Sequence, residues 1–326
     1  MAYEVSEQGE GNYSGALVEK NESDLPAGEV TIEVAYSSVN FKDALSASGN
    51  KGVTRNFPHV PGIDAVGTVV TSAAEGIEVG SAVIVTGYDL GMGTAGGFGQ
   101  RIRGPGAWVA RLPEGLSERD AMAYGTAGLT AALCVDKLLA NGVTPAGGKV
   151  LVTGATGGVG IVACALLAKL GFQVVGSSGK PEAGGKLLEI GVAEVLDRQT
   201  LAEDNPRPLL KETYAAAVDV VGGKTLVNVI KSLSHGGSVA ACGLVESTEL
   251  NATVLPFILR GVNLLGVDSV EIPLAKKQEM WDRLAGDWAL PELASLASEI
   301  RFDELASTLS RVLEGGAVGR YVLALK

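Results

Sequence analysis

Residues 149–160 read KVLVTGATGGVG: an apolar run of strand character breaks into glycines and restarts as a helix. This succession suits the pyrophosphate of a dinucleotide. Glycines allow a tight turn and a close approach of backbone to phosphate, and the helix N-terminus offers unpaired N–H groups with partial positive charge. Residues 161–170 read as a buried helix rich in Ala and Leu, and 173–176 as a second strand. Together they make the first half of a βαβ unit.

The residues after that second strand select the cofactor. A fold that takes NAD usually places a carboxylate here, on the ribose 2′-hydroxyl. This chain has Ser177, Ser178, Gly179 and Lys180 instead. A carboxylate would repel a 2′-phosphate, whereas hydroxyls, a glycine N–H and an ammonium would bind one. Arg198, after an expected third strand at 194–196, is a second candidate for the same phosphate. The alternative is a polar turn with a solvated lysine. The chemistry favours NADP(H) over NAD(H).

These residues need a framework. After the glycine turn, strands and helices alternate, with further strands expected at 216–221, 238–242 and 262–267, six parallel strands in all. That is an α/β Rossmann domain with a doubly wound parallel sheet. About 120 residues before it are strand-like and punctuated by Gly and Pro, with strands expected at 30–39, 64–71, 82–86 and 108–112. A helix over 118–139 leads into the strand at 149. The tail reads as helices at 274–284 and 302–314 and a strand at 319–325, elements a Rossmann domain does not require. The expected organisation is a β-rich domain at 1–122, a nucleotide-binding domain at 123–267, and a C-terminal return at 268–326 that completes the first domain.

Composition narrows the function classes. The chain has 326 residues, 46% hydrophobic and 19% charged, as expected for an ordinary globular protein with ample core. A net charge of −11 argues against nucleic acid or an anionic membrane as principal partner. No stretch approaches the roughly 20 apolar residues that span a bilayer, and the N-terminus lacks a signal-peptide pattern. Three cysteines, Cys134, Cys164 and Cys242, sit among apolar or small neighbours. Buried thiols in a reducing compartment account for them, so the expected location is the cytoplasm.

Several strings carry a family likeness: SSVNFKDALSASG at 37–49, RNFPHVPGIDAVGTV at 55–69, GTAGLTAALCV at 125–135, VACGL from 239 and PFILRGVNLLGVDSV at 256–270. With the GATGGVG turn and the C-terminal return, the chain resembles the zinc-free medium-chain dehydrogenase/reductase superfamily. Within it, the chain is similar nearly end to end to the NADPH-dependent acrylyl-CoA reductases, long grouped with quinone oxidoreductases. The resemblance implies a GroES-like catalytic domain at the N-terminus. It also implies a homodimer joined at the last strand of the parallel sheet, 262–267, which is apolar enough for edge pairing. Zinc relatives carry a GHE motif where this chain has Pro61, Gly62, Ile63 and Asp64, and His59 and His235 are its only histidines. A tetrahedral zinc site therefore lacks ligands, and no metal is expected.

Without a metal, hydride addition to an activated double bond is the accessible chemistry. In a 2-enoyl thioester the carbonyl makes the β-carbon electrophilic, and charge collects on the thioester oxygen. By resemblance the reaction is acrylyl-CoA plus NADPH and a proton giving propionyl-CoA and NADP⁺; quinone or enone reduction and noncatalytic NADPH binding are the alternatives.

The resemblance also assigns residues. Thr156, Gly157, Gly158 and Val159 would wrap the pyrophosphate, and Ser178, Gly179, Lys180 and Arg198 would hold the 2′-phosphate end. Leu244, Ile258 and Ser269 match positions beside the nicotinamide half, Leu244 and Ile258 having core packing as their alternative. Arg320 would close over the cofactor. Phe41 stands where relatives often have Tyr, so stacking or packing suits it better than acid catalysis. Asp64 and Tyr88 are catalytic candidates, the first as a carboxylate orienting the cleft, the second as a donor. Their alternatives are a turn carboxylate satisfied by backbone N–H groups and half-buried packing. Lys51, Arg55, Arg101 and Arg103 could meet the phosphates of coenzyme A, with scattered solvated charge as the alternative.

Overall fold

The computed structural model describes residues 1–9 and 11–325, which form two compact units: Met1–Leu129 with Ser269–Lys326, and Thr130–Asp268. No helix among the described residues is long and apolar enough to cross a membrane.

The unit Thr130–Asp268 is built on one parallel sheet. Its strands, in spatial order, are Glu194–Asp197, Val174–Ser178, Val150–Val152, Tyr214–Asp219, Leu233–Ala241 and Asn263–Gly266. Every pairing is parallel. Counted along the chain the order is 3-2-1-4-5-6, the doubly wound arrangement expected from the alternating pattern. Leu151, Val175, Ala217 and Val239 are wholly buried, because a parallel sheet covered on both faces needs continuous apolar strands. The helix Gly158–Lys169 buries an unbroken run from Gly160 to Leu167, so its packing rather than amphipathic patterning holds it on the sheet.

The other unit carries a seven-stranded sheet. Its path runs Ala297–Ile300, Arg320–Ala324, Val30–Ser38, Asp64–Ser72, Ala82–Thr86 and Val109–Arg111, with Arg101–Gly104 also paired to Val30–Ser38. A hairpin of Ala2–Gly9 and Asn12–Val18 forms a separate two-stranded sheet. Val5, Ile32, Val34, Phe98, Leu305 and Leu323 share one core, so the C-terminal return packs with N-terminal strands in one unit.

Local differences from the sequence expectation have local causes. The helix expected at 118–139 is observed as Glu118–Ala140, but Gly125 breaks it with φ 53° and ψ −160°. The change of unit falls later in that helix, at 129/130 rather than 122/123, where no shift in composition marks it. The apolar run 108–112 yields only the strand Val109–Arg111, since Gly106–Trp108 form a 3-10 turn. The hairpin, the helix Phe41–Ala47 and the strand Ala297–Ile300 lie outside the sequence reading. The strand is short, and only its pairing with Arg320–Ala324 defines it.

Candidate active site

The glycine turn has the geometry that phosphate binding requires. Strand Val150–Val152 ends in a turn with Gly154 at φ 58°, and Gly157 then opens the helix Gly158–Lys169. No side chain caps that helix, which leaves its first N–H groups without an internal carboxylate or hydroxyl. A Cβ on Gly160 would lie 2.8 Å from the Ala155 Cα, so only glycine lets helix and turn approach this closely. The Ala155 N–H bonds to the Ser177 carbonyl at 2.9 Å, and the Thr156 and Ser178 hydroxyls are 3.0 Å apart. The turn residues Thr156 to Val159 and the residues after the second strand are thereby brought side by side.

Arg198 joins them. Its N–H bonds to the Ser178 carbonyl at 3.0 Å, and its side chain crosses Gly179 so closely that a Cβ there would stand 2.6 Å from its Cδ. The Lys180 N–H bonds to the Ser178 hydroxyl at 3.1 Å. Burial pulls the Lys180 ammonium below its ordinary value, Glu182 opposes that, and the positive charge of Arg198 adds to it. Two cations and a hydroxyl at one strand end fit a phosphate monoester, and the turn beside them fits a pyrophosphate. The residues present therefore suit an NADP-type dinucleotide.

Asp64, wholly buried, is the centre of a network in the other unit. Its Oδ2 accepts from the Ser38 hydroxyl at 2.5 Å, the Asn40 Nδ2 at 2.8 Å and the Thr126 N–H at 2.8 Å; its Oδ1 accepts from the Thr126 hydroxyl at 2.5 Å. The break at Gly125 makes this possible, because it starts a new helical segment whose first N–H points at a carboxylate. Arg320 is also buried. It donates Nη2 to the Ser38 hydroxyl at 3.0 Å, Nε to the Ala123 carbonyl at 3.0 Å and Nη1 to the Val39 carbonyl at 3.3 Å. Ser38 thus relays between guanidinium and carboxylate. Burial lowers the Arg320 pKa, and the charges of Asp64 and Asp43 oppose that.

Asp43 completes the cluster. It accepts the Asn40 N–H at 2.7 Å and the Ile63 N–H at 2.8 Å, which anchors the start of helix Phe41–Ala47 to strand Asp64–Ser72. Burial first, then the charge of Asp64, push its carboxyl up to about 7. Phe41 is half-buried at the first position of that helix.

Tyr88 makes the contacts of the packing alternative. Its phenol donates to the Ile272 carbonyl at 3.2 Å, and its ring stacks on Trp108 at 5.8 Å between centroids. Burial and the charge of Glu271 raise its pKa. Leu244 and Ile258 are 56% and 68% exposed, which removes core packing as their explanation. Ser269 is buried in the return leg. Arg101 and Arg103 both reach Glu22, at 2.9 and 3.5 Å, and Lys51 lies 3.9 Å from Glu7 and 4.7 Å over the Phe57 ring.

Sequence reasoning gave no role to Ser38, Asn40, Asp43, Thr126 or Asp219. The Asn-x-x-Asp start of a helix was a usable signal for Asn40 and Asp43. Thr126 had none, since its partner is 62 positions away. Asp219 ends the fourth strand of the parallel sheet, accepts the Thr153 hydroxyl at 2.7 Å and the Gly222 N–H at 2.8 Å, and burial pushes it up to about 6. Among the described residues, no group of three or more His, Cys, Asp or Glu side chains could hold a metal ion.

Comparison with known proteins matches residues 26–114 to the alcohol dehydrogenase GroES-like domain and residues 158–286 to the zinc-binding dehydrogenase family. The acrylyl-CoA reductase AcuI of Ruegeria pomeroyi is 44% identical over 313 residues, 96% of this chain and 95% of that one. An oxidoreductase from Salmonella enterica, solved in complex with NADP, superposes with a TM-score of 0.96 at 44% identity over the whole of both chains. The Bacillus subtilis protein yhfP, solved with NAD bound, gives a TM-score of 0.94 at 41% identity, again over the whole of both.

Proposed function

The chain belongs to the medium-chain dehydrogenase/reductase superfamily, and on that premise we propose that it is an NADPH-dependent reductase of short 2-enoyl-CoA thioesters, acrylyl-CoA first. The observation that carries this reading is the end-to-end likeness to an acrylyl-CoA reductase, 44% identity over 96% of the chain.

NADPH, when bound, supplies a hydride to the β-carbon of the enoyl thioester, and a proton adds at the α-carbon to give the saturated thioester. Thr156, Gly157, Gly158 and Val159 hold the pyrophosphate at the uncapped helix. Ser178, Gly179, Lys180 and Arg198 hold the 2′-phosphate. Because one close neighbour holds NAD, the preference for NADPH rests on these four residues of this chain. Phe41, Leu244, Ile258 and Ser269 take the nicotinamide half by family likeness. Arg320, whose three donor bonds are internal, acts by holding the cluster around Asp64 rigid. Asp64, with four donors on its two oxygens, is a positioning carboxylate, and solvent supplies the proton at the α-carbon.

Three further features belong to the reading. The reaction as proposed needs no zinc, since the thioester carbonyl already activates the double bond. Two copies pair through the outer strand Asn263–Gly266, since Val245, Val254 and Leu259 expose an apolar surface on the segment leading into it. The protein works in the cytoplasm, where its cysteines stay reduced.

The test is NADPH oxidation with acrylyl-CoA, crotonyl-CoA and a simple quinone side by side, with NADH as control. The expected result is the largest kcat/KM for acrylyl-CoA with NADPH. Faster quinone turnover would overturn the thioester assignment, and tight NADPH binding without turnover would overturn enzymatic reduction altogether.

A further inference from the structure

Lys277 is 1% exposed and stands in the first turn of helix Leu274–Ala285. Both facts disfavour it. Burial penalises an ammonium, and the N-terminus of a helix repels a cation. Its compensation is specific. The Nζ donates to the Thr86 carbonyl at 2.6 Å and the Val270 carbonyl at 2.8 Å, and lies 3.3 Å over the ring of Tyr88.

Tyr88 acts on the same segment. Its N–H bonds to the Val270 carbonyl at 3.2 Å and its phenol to the Ile272 carbonyl at 3.2 Å. Tyr88 itself has φ 52°, a strained conformation for a residue with a side chain, and its ring is held against Trp108. Residues 269–272 belong to no strand or helix, so their carbonyls need partners from elsewhere. Lys277 and Tyr88 provide them at Val270 and Ile272.

We propose that Lys277 is a positioning residue for hydride transfer: with Tyr88 as its platform, it fixes residues 269–272 so that Ser269 is presented to the nicotinamide half of the cofactor. This rests on the nicotinamide assignment of Ser269 in the proposed function. Lys277 bonds to the Thr86 and Val270 carbonyls. It acts through the Val270 carbonyl.

The experiment compares full-length wild type, Lys277→Met and Tyr88→Phe. The first variant keeps chain length and removes the ammonium; the second keeps the ring and removes only the Ile272 bond. Melting temperature, NADPH affinity by fluorescence titration, and kcat/KM with acrylyl-CoA are measured for NADPH and NADH. For Lys277→Met, kcat/KM is expected to fall about a hundredfold with both nucleotides, as for a misplaced contact group. The NADPH-to-NADH preference stays the same, because Lys180 and Arg198 are untouched. Tyr88→Phe shows a smaller fall in the same parameters and decides the matter if Lys277→Met does not fold. Folded variants with wild-type kinetics and affinity, or a loss confined to melting temperature, would overturn the proposal. If wild type turns over no enone, the proposed function fails on its own, and the NADPH affinities of the variants then test the positioning role.

Discussion

Thr126 grips Asp64 with two donors, its hydroxyl at 2.5 Å from Oδ1 and its N–H at 2.8 Å from Oδ2. The N–H is available because Gly125 interrupts the helix immediately before it. One buried carboxylate thereby joins strands Val30–Ser38 and Asp64–Ser72 to a helical segment, and through Ser38 to Arg320 on the strand Arg320–Ala324. A buried charge with its donors satisfied makes such a junction rigid.

Removing that carboxylate strands its donors. Asp64→Ala is expected to lower stability by about 3–5 kcal/mol, the scale for breaking a buried charged network. Thr126→Ala, which keeps the N–H bond, should lose about 1.5–3 kcal/mol. Urea denaturation of both variants measures the difference, and equal losses would show that the hydroxyl bond carries the whole junction.

Gly125 admits no side chain. Its φ of 53° is strained for any other residue, and a Cβ would lie 2.7 Å from the Asp64 Oδ2 and 2.8 Å from the Arg320 Nη2. Gly125→Ala should therefore destabilise by about 1–3 kcal/mol from the backbone alone, and more from the displaced carboxylate. A variant melting within a degree or so of wild type would contradict the crowding.

The cofactor preference should reside in two cations. Lys180→Ala with Arg198→Ala should raise the KM for NADPH about tenfold to a hundredfold, on the scale of one charge-assisted hydrogen bond. The KM for NADH should barely move, since NADH has no 2′-phosphate. An equal rise for both nucleotides would assign these side chains to the fold instead.

Stability should depend on pH through Asp43 and Asp219. Their carboxyls, ordinarily at 3.8, stand at about 7 and about 6 in the folded protein. Between the unfolded and folded values the native state binds the extra protons, so each contribution is complete at low pH and is lost as pH rises. The Asp43 contribution declines from about pH 4 to about pH 7 and is flat beyond. Denaturation across that window measures the slope, and Asp43→Asn should flatten its upper part.

The exposed apolar segment predicts association. Val254→Glu with Leu259→Glu, at positions 65% and 59% exposed, should leave the fold intact and shift sedimentation toward a single copy. An unchanged sedimentation coefficient would place any interface elsewhere.

Much of the nucleotide-binding unit was legible because its signals are local. The turn at 153–160 is written in glycines whose roles are set by neighbours a few residues away, and Gly160 faces Ala155 within the same motif. The buried helix Gly158–Lys169 and the parallel strands announce themselves as continuous apolar runs. The β-rich unit was legible as strands and turns, but its hairpin and the strand Ala297–Ile300 exist through pairing, which no local pattern encodes.

Residue types at short spacing specify the doubly wound sheet, the phosphate-binding turn and the absence of a carboxylate from the Ser177–Lys180 stretch. Only packing brings donors from Ser38, Asn40 and Thr126 onto Asp64, buries Arg320 and leaves Leu244 and Ile258 exposed. The physical reason is that burial and hydrogen-bond partnership belong to the packed chain: residues 38, 64, 126 and 320 share one desolvated volume only after strands far apart in sequence have paired.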